Sequence, residues 1–114
     1  MKKWPMREET AQEVISRERG ECAVCGLTID GKGHIHHRQP RGMGGGGPAA
    51  HRLSNLLLLH ASCHLQHVEQ KRDQAYQNGW LVHAEIDPAE APLMYKLNTW
   101  VLLTDDGHII TEDP

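Results

Sequence analysis

Phenylalanine is absent from the 114 residues, and aromatic side chains make up only 4% of them. A chain this short and this poor in large apolar rings builds a thin core, and such small domains often depend on a staple. Nothing approaches the run of about 20 apolar residues needed to cross a bilayer, and no charged n-region leads into an apolar h-region. The protein is therefore expected to be soluble and cytoplasmic. Cysteine is scarce as well: three residues, an odd number, argue against a disulfide framework. Positive charge is the last shortage. The net charge is −3, where a basic footprint is the usual sign of nucleic-acid binding. The deficit is uneven: residues 1–84 carry eleven Lys/Arg against eight Asp/Glu, and residues 85–114 carry one against seven.

What the chain does have is histidine and cysteine at ordered spacings. Cys22-x-x-Cys25 and His60-x-x-Cys63 are two pairs, each able to place its members side by side on a tight turn. Two such knuckles supply four corners of a tetrahedron, a Cys3His set with no position open to substrate, which is the pattern of a structural Zn2+ site. The bland alternative is three ordinary buried thiols and an incidental histidine. Gly26 directly after the first knuckle and the poverty of the core favour the metal.

A second layer lies between and beside these pairs: His36-His37-Arg38-Gln39-Pro40, Asn55 and His64. Here the chain resembles the HNH endonucleases, the His-Me finger or ββα-metal nucleases. Their signature is Asp or His followed by His, Pro three residues later, an Asn, and a His nine residues after it. Many members wrap this motif in paired knuckles, with the last His directly after the final Cys, as in Cys63-His64. The stretches HHRQPRGMGGGG and SNLLLLHASCH are similar to small members encoded by phages, for which the location would be the host cytoplasm. The resemblance covers about Glu21 to Trp80. One departure is His60, where those relatives usually carry Cys.

The resemblance implies a division of labour. His36 and His64 would hold a catalytic divalent cation (Mg2+, Mn2+, Ni2+ or Zn2+), His37 would be the general base, and Asn55 would brace the loop that positions it. Hydrolysis of a phosphodiester needs those parts: a base for water, and positive charge for the phosphoryl oxygens. A neutral imidazole with an ordinary pKa near 6.5 suits the base. On a strand, however, adjacent side chains point to opposite faces, so His36 and His37 must play different parts or the backbone must bend. His67, one helical turn after His64, is a third ligand, a phosphate contact or a solvated residue. Asn55 also reads simply as a turn residue before a strand.

Arg38, Arg41, Arg52 and Lys71 flank the motif and are candidate phosphate contacts, although surface arginines are common. The run from Gly42 to Pro48 lacks the Lys-Ser/Thr ending of a nucleotide-binding loop and reads as a flexible connector. His34, His51, His83 and His108 have no spacing that recruits them.

The fold class expected is α+β: a small zinc-stapled ββα-metal domain with an N-terminal helix and a C-terminal β-hairpin. Residues 1–114 form one domain, with a nuclease core over 21–80 and an acidic extension over 81–114. Thr10-x-x-Glu13 reads as a capping box opening a helix that stops at Gly20. Leu27 to Ile29 and His34 to His37 read as a hairpin, Leu56 to Leu59 as the next strand, and Ser62 to about Asn78 as a helix burying Leu65, Val68, Ala75 and Tyr76. Trp80 to Ala84 reads as a strand, Asp87 to Pro92 as a loop, and Trp100 to Leu103 with His108 to Thr111 as a hairpin.

The expected function is metal-dependent hydrolysis of DNA, with 5′-phosphate and 3′-hydroxyl products if the family mechanism carries over. Its phage-type relatives also suggest a terminase as partner. The alternative is a non-catalytic zinc-knuckle module binding DNA or protein, which would have no need of the second layer.

Overall fold

Residues 6–39 and 48–111 are described by the structure, a computed structural model. Helix α1, Glu8–Glu18, starts earlier than the expected capping box. Arg7 at its N-cap makes no side-chain cap bond; instead Glu8 and Glu9 place negative charge at the positive end of the helix dipole. The helix closes as expected. Arg19 and Gly20 turn left-handed, and their N–H groups reach back to Ser16 O and Ile15 O.

Leu27 to Ile29 does not pair with the histidine strand. Leu27 O accepts from Cys22 N at 2.9 Å, and Ile29 N donates to Gly20 O at 3.0 Å, so these backbone groups are used to close the first knuckle. Strand β1, His34–His37, pairs antiparallel with β2, Leu56–Leu59, placing His34 opposite Leu59 and His36 opposite Leu57.

Every residue of β2 is buried. Alternation explains how four consecutive leucines find cover. Leu57 and Leu59 join the larger core with Cys22, Val68, Leu93 and Leu103, while Leu56 and Leu58 pack with Val14 of α1, Ile15 and Ile35. Each buried leucine contributes roughly 1.5–3 kcal/mol. The larger core thus draws on the knuckle and on the C-terminal strands alike.

The helix after β2 is not continuous. Helix α2, Ala61–Cys63, runs into a π-helical segment, His64–Glu69, marked by Gln70 N bonding Leu65 O at 3.0 Å. Non-helical Lys71 then separates it from α3, Arg72–Gln77. The wider turns shift the phase of the buried face: Val68 and Ala75 are inside, but Leu65 is 52% exposed.

Trp80 to Ala84 is not a strand either, although Val82 N donates to Arg38 O at 2.9 Å. Within the expected loop, Pro88–Glu90 forms a 3₁₀ turn capped by Asp87. The expected C-terminal hairpin forms as β4, Thr99–Leu103, and β5, Ile109–Thr111, joined on its other edge by β3, Leu93–Tyr95. Gly79 makes this docking possible. A Cβ there would lie 2.0 Å from Pro92 O, and its φ of +77° is itself unfavourable to other residues. No described helix is long and apolar enough to cross a membrane.

Candidate active site and metal centre

The two knuckles converge. Ligand atoms of Cys22, Cys25, His60 and Cys63 all lie within 4.8 Å of one another, and among the described residues no other group of three or more His, Cys, Asp or Glu does so. The ring of His60 is set as a ligand ring should be. Its Nδ1 faces Cys25 Sγ at 3.3 Å, while Nε2 faces Thr28 O at 3.2 Å. A carbonyl at the far nitrogen fixes the tautomer that leaves the near one unprotonated. The backbone of His60 also donates to Cys22 Sγ at 3.4 Å.

Acidity within the cluster is divided. Burial works against a Cys22 thiolate, but N–H groups of Cys25, His60 and Val24 outweigh it and bring the thiol down to about 7. Burial and the neighbouring Cys22 push Cys63 up to about 12. The proteins' own donors therefore favour one thiolate and oppose a second. A dication relieves that conflict, since coordinated thiols are held deprotonated. The Cys3His set is compatible with structural zinc in ligand type, spacing and hydrogen bonding.

The β1–β2 register distributes the histidines by face. His34 and His36 share the face of Leu57 and Leu59; Ile35 and His37 share that of Leu56 and Leu58. On the first face the ring of His64 meets both neighbours, with centroids 5.3 Å from His34 and 4.9 Å from His36. His34 Nδ1 and His64 Nδ1 are 3.0 Å apart. His36 is buried, and its Nε2 donates to Trp80 O at 2.7 Å. Burial is the main reason its pKa falls to about 4; the Trp80 bond opposes this, and His64 and His37 add to it. The ring is neutral at physiological pH. Burial likewise lowers His64, with help from His34.

His37 turns to the opposite face, where its Nε2 lies 3.2 Å from His51 Nδ1. The backbone does not bend to bring the two adjacent histidines onto one side. Asn55 ties the segment around His37. Its Oδ1 accepts from Gln39 N at 2.8 Å, and its Nδ2 donates to Ala50 O at 3.0 Å, with the side chain almost wholly buried.

Other candidates are placed differently from expectation. His67 is not gathered with His34, His36 and His64; its ring stands edge-on 6.3 Å from Trp80, because the π-helical turn breaks the three-residue stacking assumed for it. Arg38 is 0% exposed. It donates to Gly79 O at 2.9 Å, Ser54 O at 2.8 Å, Pro88 O at 3.0 Å and Ala91 O at 2.7 Å. Burial, then Arg17, lowers it to about 9, which still leaves it charged. It is an internal brace, out of reach of a phosphate. Arg52 is partly exposed but paired with Asp87 at 2.8 Å and Asp105 at 2.7 Å. Lys71 is exposed and non-helical, at the break between the π-helical segment and α3. Arg41 and the glycine run through Gly47 lie outside the described residues.

Two histidines that the spacing did not recruit stand beside the recruited ones. His34 was recoverable, since residues two apart on a strand share a face. His51 gave no such signal, because a 3₁₀ turn, Pro48–His51, delivers it.

No match to the chain emerges among the curated proteins or the solved structures. Residues 22–70 do match a family, and the matched stretch begins at the first zinc-type cysteine and ends just past the helix that carries His64. The family is described as HNH endonuclease, and the matched stretch holds the antiparallel strand pair, the helix that follows it and the Cys3His cluster.

Proposed function

We propose that the protein is a metal-dependent endonuclease that hydrolyses DNA phosphodiesters. The observation that carries this reading is the meeting of His36 and His64 on one face of β1, beside a braced His37, inside the segment that matches the family.

His36 and His64 would hold the cation, and Cys22, Cys25, His60 and Cys63 a separate structural zinc. A divalent cation at the histidines would supply positive charge to the phosphoryl oxygens. The tie from His36 Nε2 to Trp80 O leaves Nδ1 as its ligand atom. His37 accepts the proton of the attacking water as its oxygen bonds to phosphorus; the bond to the 3′ oxygen breaks, and that oxygen takes a proton from solvent to leave as the 3′-hydroxyl. His51 holds the His37 ring in place. Asn55 fixes Gln39 and Ala50 on either side of that segment, which makes it a positioning residue. His37 is the last residue of β1. A phosphate set across that end would meet rings from both faces, and adjacent histidines could then serve one substrate.

Among the described residues Arg38 is internal and Arg52 is paired with acids, so DNA affinity is expected to be modest and to fall with salt. A phage packaging terminase as partner rests on the likeness of HHRQPRGMGGGG and SNLLLLHASCH to phage members. The test is incubation of supercoiled plasmid with zinc-loaded protein and Mg2+, Mn2+ or Ni2+. Relaxed DNA that forms with a cation and not with EDTA supports the enzyme. A mobility shift without cleavage under every cation supports a binding module instead.

A further inference from the structure

Resting on the nuclease reading above, we propose that His34 is a third protein ligand of the catalytic cation, in place of His67. The site is then three imidazoles, two from one face of β1 and one from the helix. It is suited to a first-row divalent ion such as Ni2+, Co2+ or Zn2+ rather than Mg2+, which prefers oxygen ligands.

Strand geometry provides the first part of the case. His34 and His36 lie two apart on β1, so their side chains leave the same face, and both rings meet His64. The separation of His34 Nδ1 and His64 Nδ1 provides the second. Two imidazole nitrogens bound to one cation at about 2.1 Å stand ~3.0–3.4 Å apart for octahedral to tetrahedral angles. The observed distance is 3.0 Å.

The groups behind the rings provide the third part. Trp80 O occupies Nε2 of His36, leaving Nδ1 for a ligand. Glu69 Oε1 lies 3.8 Å from Nε2 of His64, while Nδ1 is the nitrogen that faces His34 at 3.0 Å. A carbonyl or carboxylate behind the distal nitrogen is the usual support of a metal-ligating histidine. His67 has no such placement: it sits against Trp80 and outside the group. Nδ1 of His36 still has to swing toward the other two, because the three rings meet as pairs and not around one point. His34 is exposed, so its ring can make the complementary movement.

The test is calorimetric titration of Ni2+ into the full-length protein with its zinc already bound, comparing wild type with His34→Ala, His36→Ala and His67→Ala. The proposal expects one Ni2+ per chain in wild type, about tenfold or weaker binding in His34→Ala and in His36→Ala, and no change in His67→Ala. Zinc content and melting temperature are read alongside, and both should be unchanged in His34→Ala. If His36→Ala is weakened while His34→Ala binds like wild type, His34 only hydrogen-bonds to His64; the proposal fails and the nuclease reading stands. Weakening by His67→Ala with none by His34→Ala also overturns it. If wild type binds no Ni2+, or neither β1 variant weakens binding, the cation assignment in the nuclease reading fails with it.

Discussion

Replacing Arg38 with Met should destabilise the end of β1 without touching the histidines. Beside the histidine pair Arg38 reads as a phosphate contact, yet it is buried and its donors end on four backbone carbonyls: Gly79, Ser54, Pro88 and Ala91. These carbonyls belong to the end of α3, the turn before β2, and the 3₁₀ turn that leads into β3, so one side chain ties three segments to the end of β1. Replacing Arg38 with Met keeps much of the volume and removes every donor. A hydrogen bond to a charged group contributes ~1.5–3 kcal/mol, but four to one side chain do not add, and the cost of burying the charge is recovered. What remains is four carbonyl oxygens without their donor; each buried, unsatisfied one costs ~1–3 kcal/mol, so a net loss of about 3–5 kcal/mol is expected. Against a total stability of about 5–15 kcal/mol, that is a large share. The melting temperature should fall by at least about 10 °C, measured by circular dichroism on zinc-loaded protein. The control, Lys71→Ala on the surface, should stay within about 0.5 kcal/mol of wild type. If Arg38→Met melted with wild type and lost only DNA affinity, the brace would be refuted and the phosphate contact restored.

Other expectations follow from the same geometry. Cys22→Ser should lose zinc and, because binding of a structural zinc is of the order of 10 kcal/mol of folding free energy, should leave the chain largely unfolded by circular dichroism; retention of one zinc per chain with an unchanged melting temperature would contradict the Cys3His site. Asn55→Ala strands Gln39 N and Ala50 O and should cost about 2–4 kcal/mol. In protein that remains folded, the cleavage rate should fall with little change in DNA binding, and an equal loss of both would argue against a positioning role. Burial opposes ionisation of Asp105, but the bonds from Arg52 and Ser54 outweigh it and hold the carboxyl below its ordinary value of 3.8. A lowered acid stabilises the fold above its unfolded value and loses that contribution as the pH falls through the folded one. Asp105→Asn should therefore lose less melting temperature than wild type between about pH 6 and about pH 3, and equal losses would remove Asp105 from the acid response.

The parts legible in the sequence are those set by short, fixed spacings. Each pair two residues apart in the knuckles needs only a turn, so Cys22, Cys25, His60 and Cys63 could be chosen before any fold was known. Leu56–Leu59 and the C-terminal hairpin are equally local. The misread parts depend on which long-range partner claims a backbone or side-chain group. Leu27 to Ile29 has the composition of a strand, but Cys22 and Gly20 claim its hydrogen bonds. A π-helical turn leaves no mark in apolar periodicity, which puts Leu65 on the buried face where the structure exposes it. Whether an arginine beside a histidine pair faces solvent or four carbonyls depends on residues 79 to 91, which are remote in sequence. His34 differs, because period two was enough to place it with His36.

The most direct measurement of the central claim is the initial rate of plasmid nicking by wild type and by His37→Ala, under the cation that best supports cleavage and with zinc content and melting temperature matched. Loss of the general base should lower the rate by roughly 10²–10⁴-fold while both proteins bind DNA alike. Equal rates from two equally folded, equally metal-loaded proteins would contradict the assignment of His37 as the base and, with it, this account of the site.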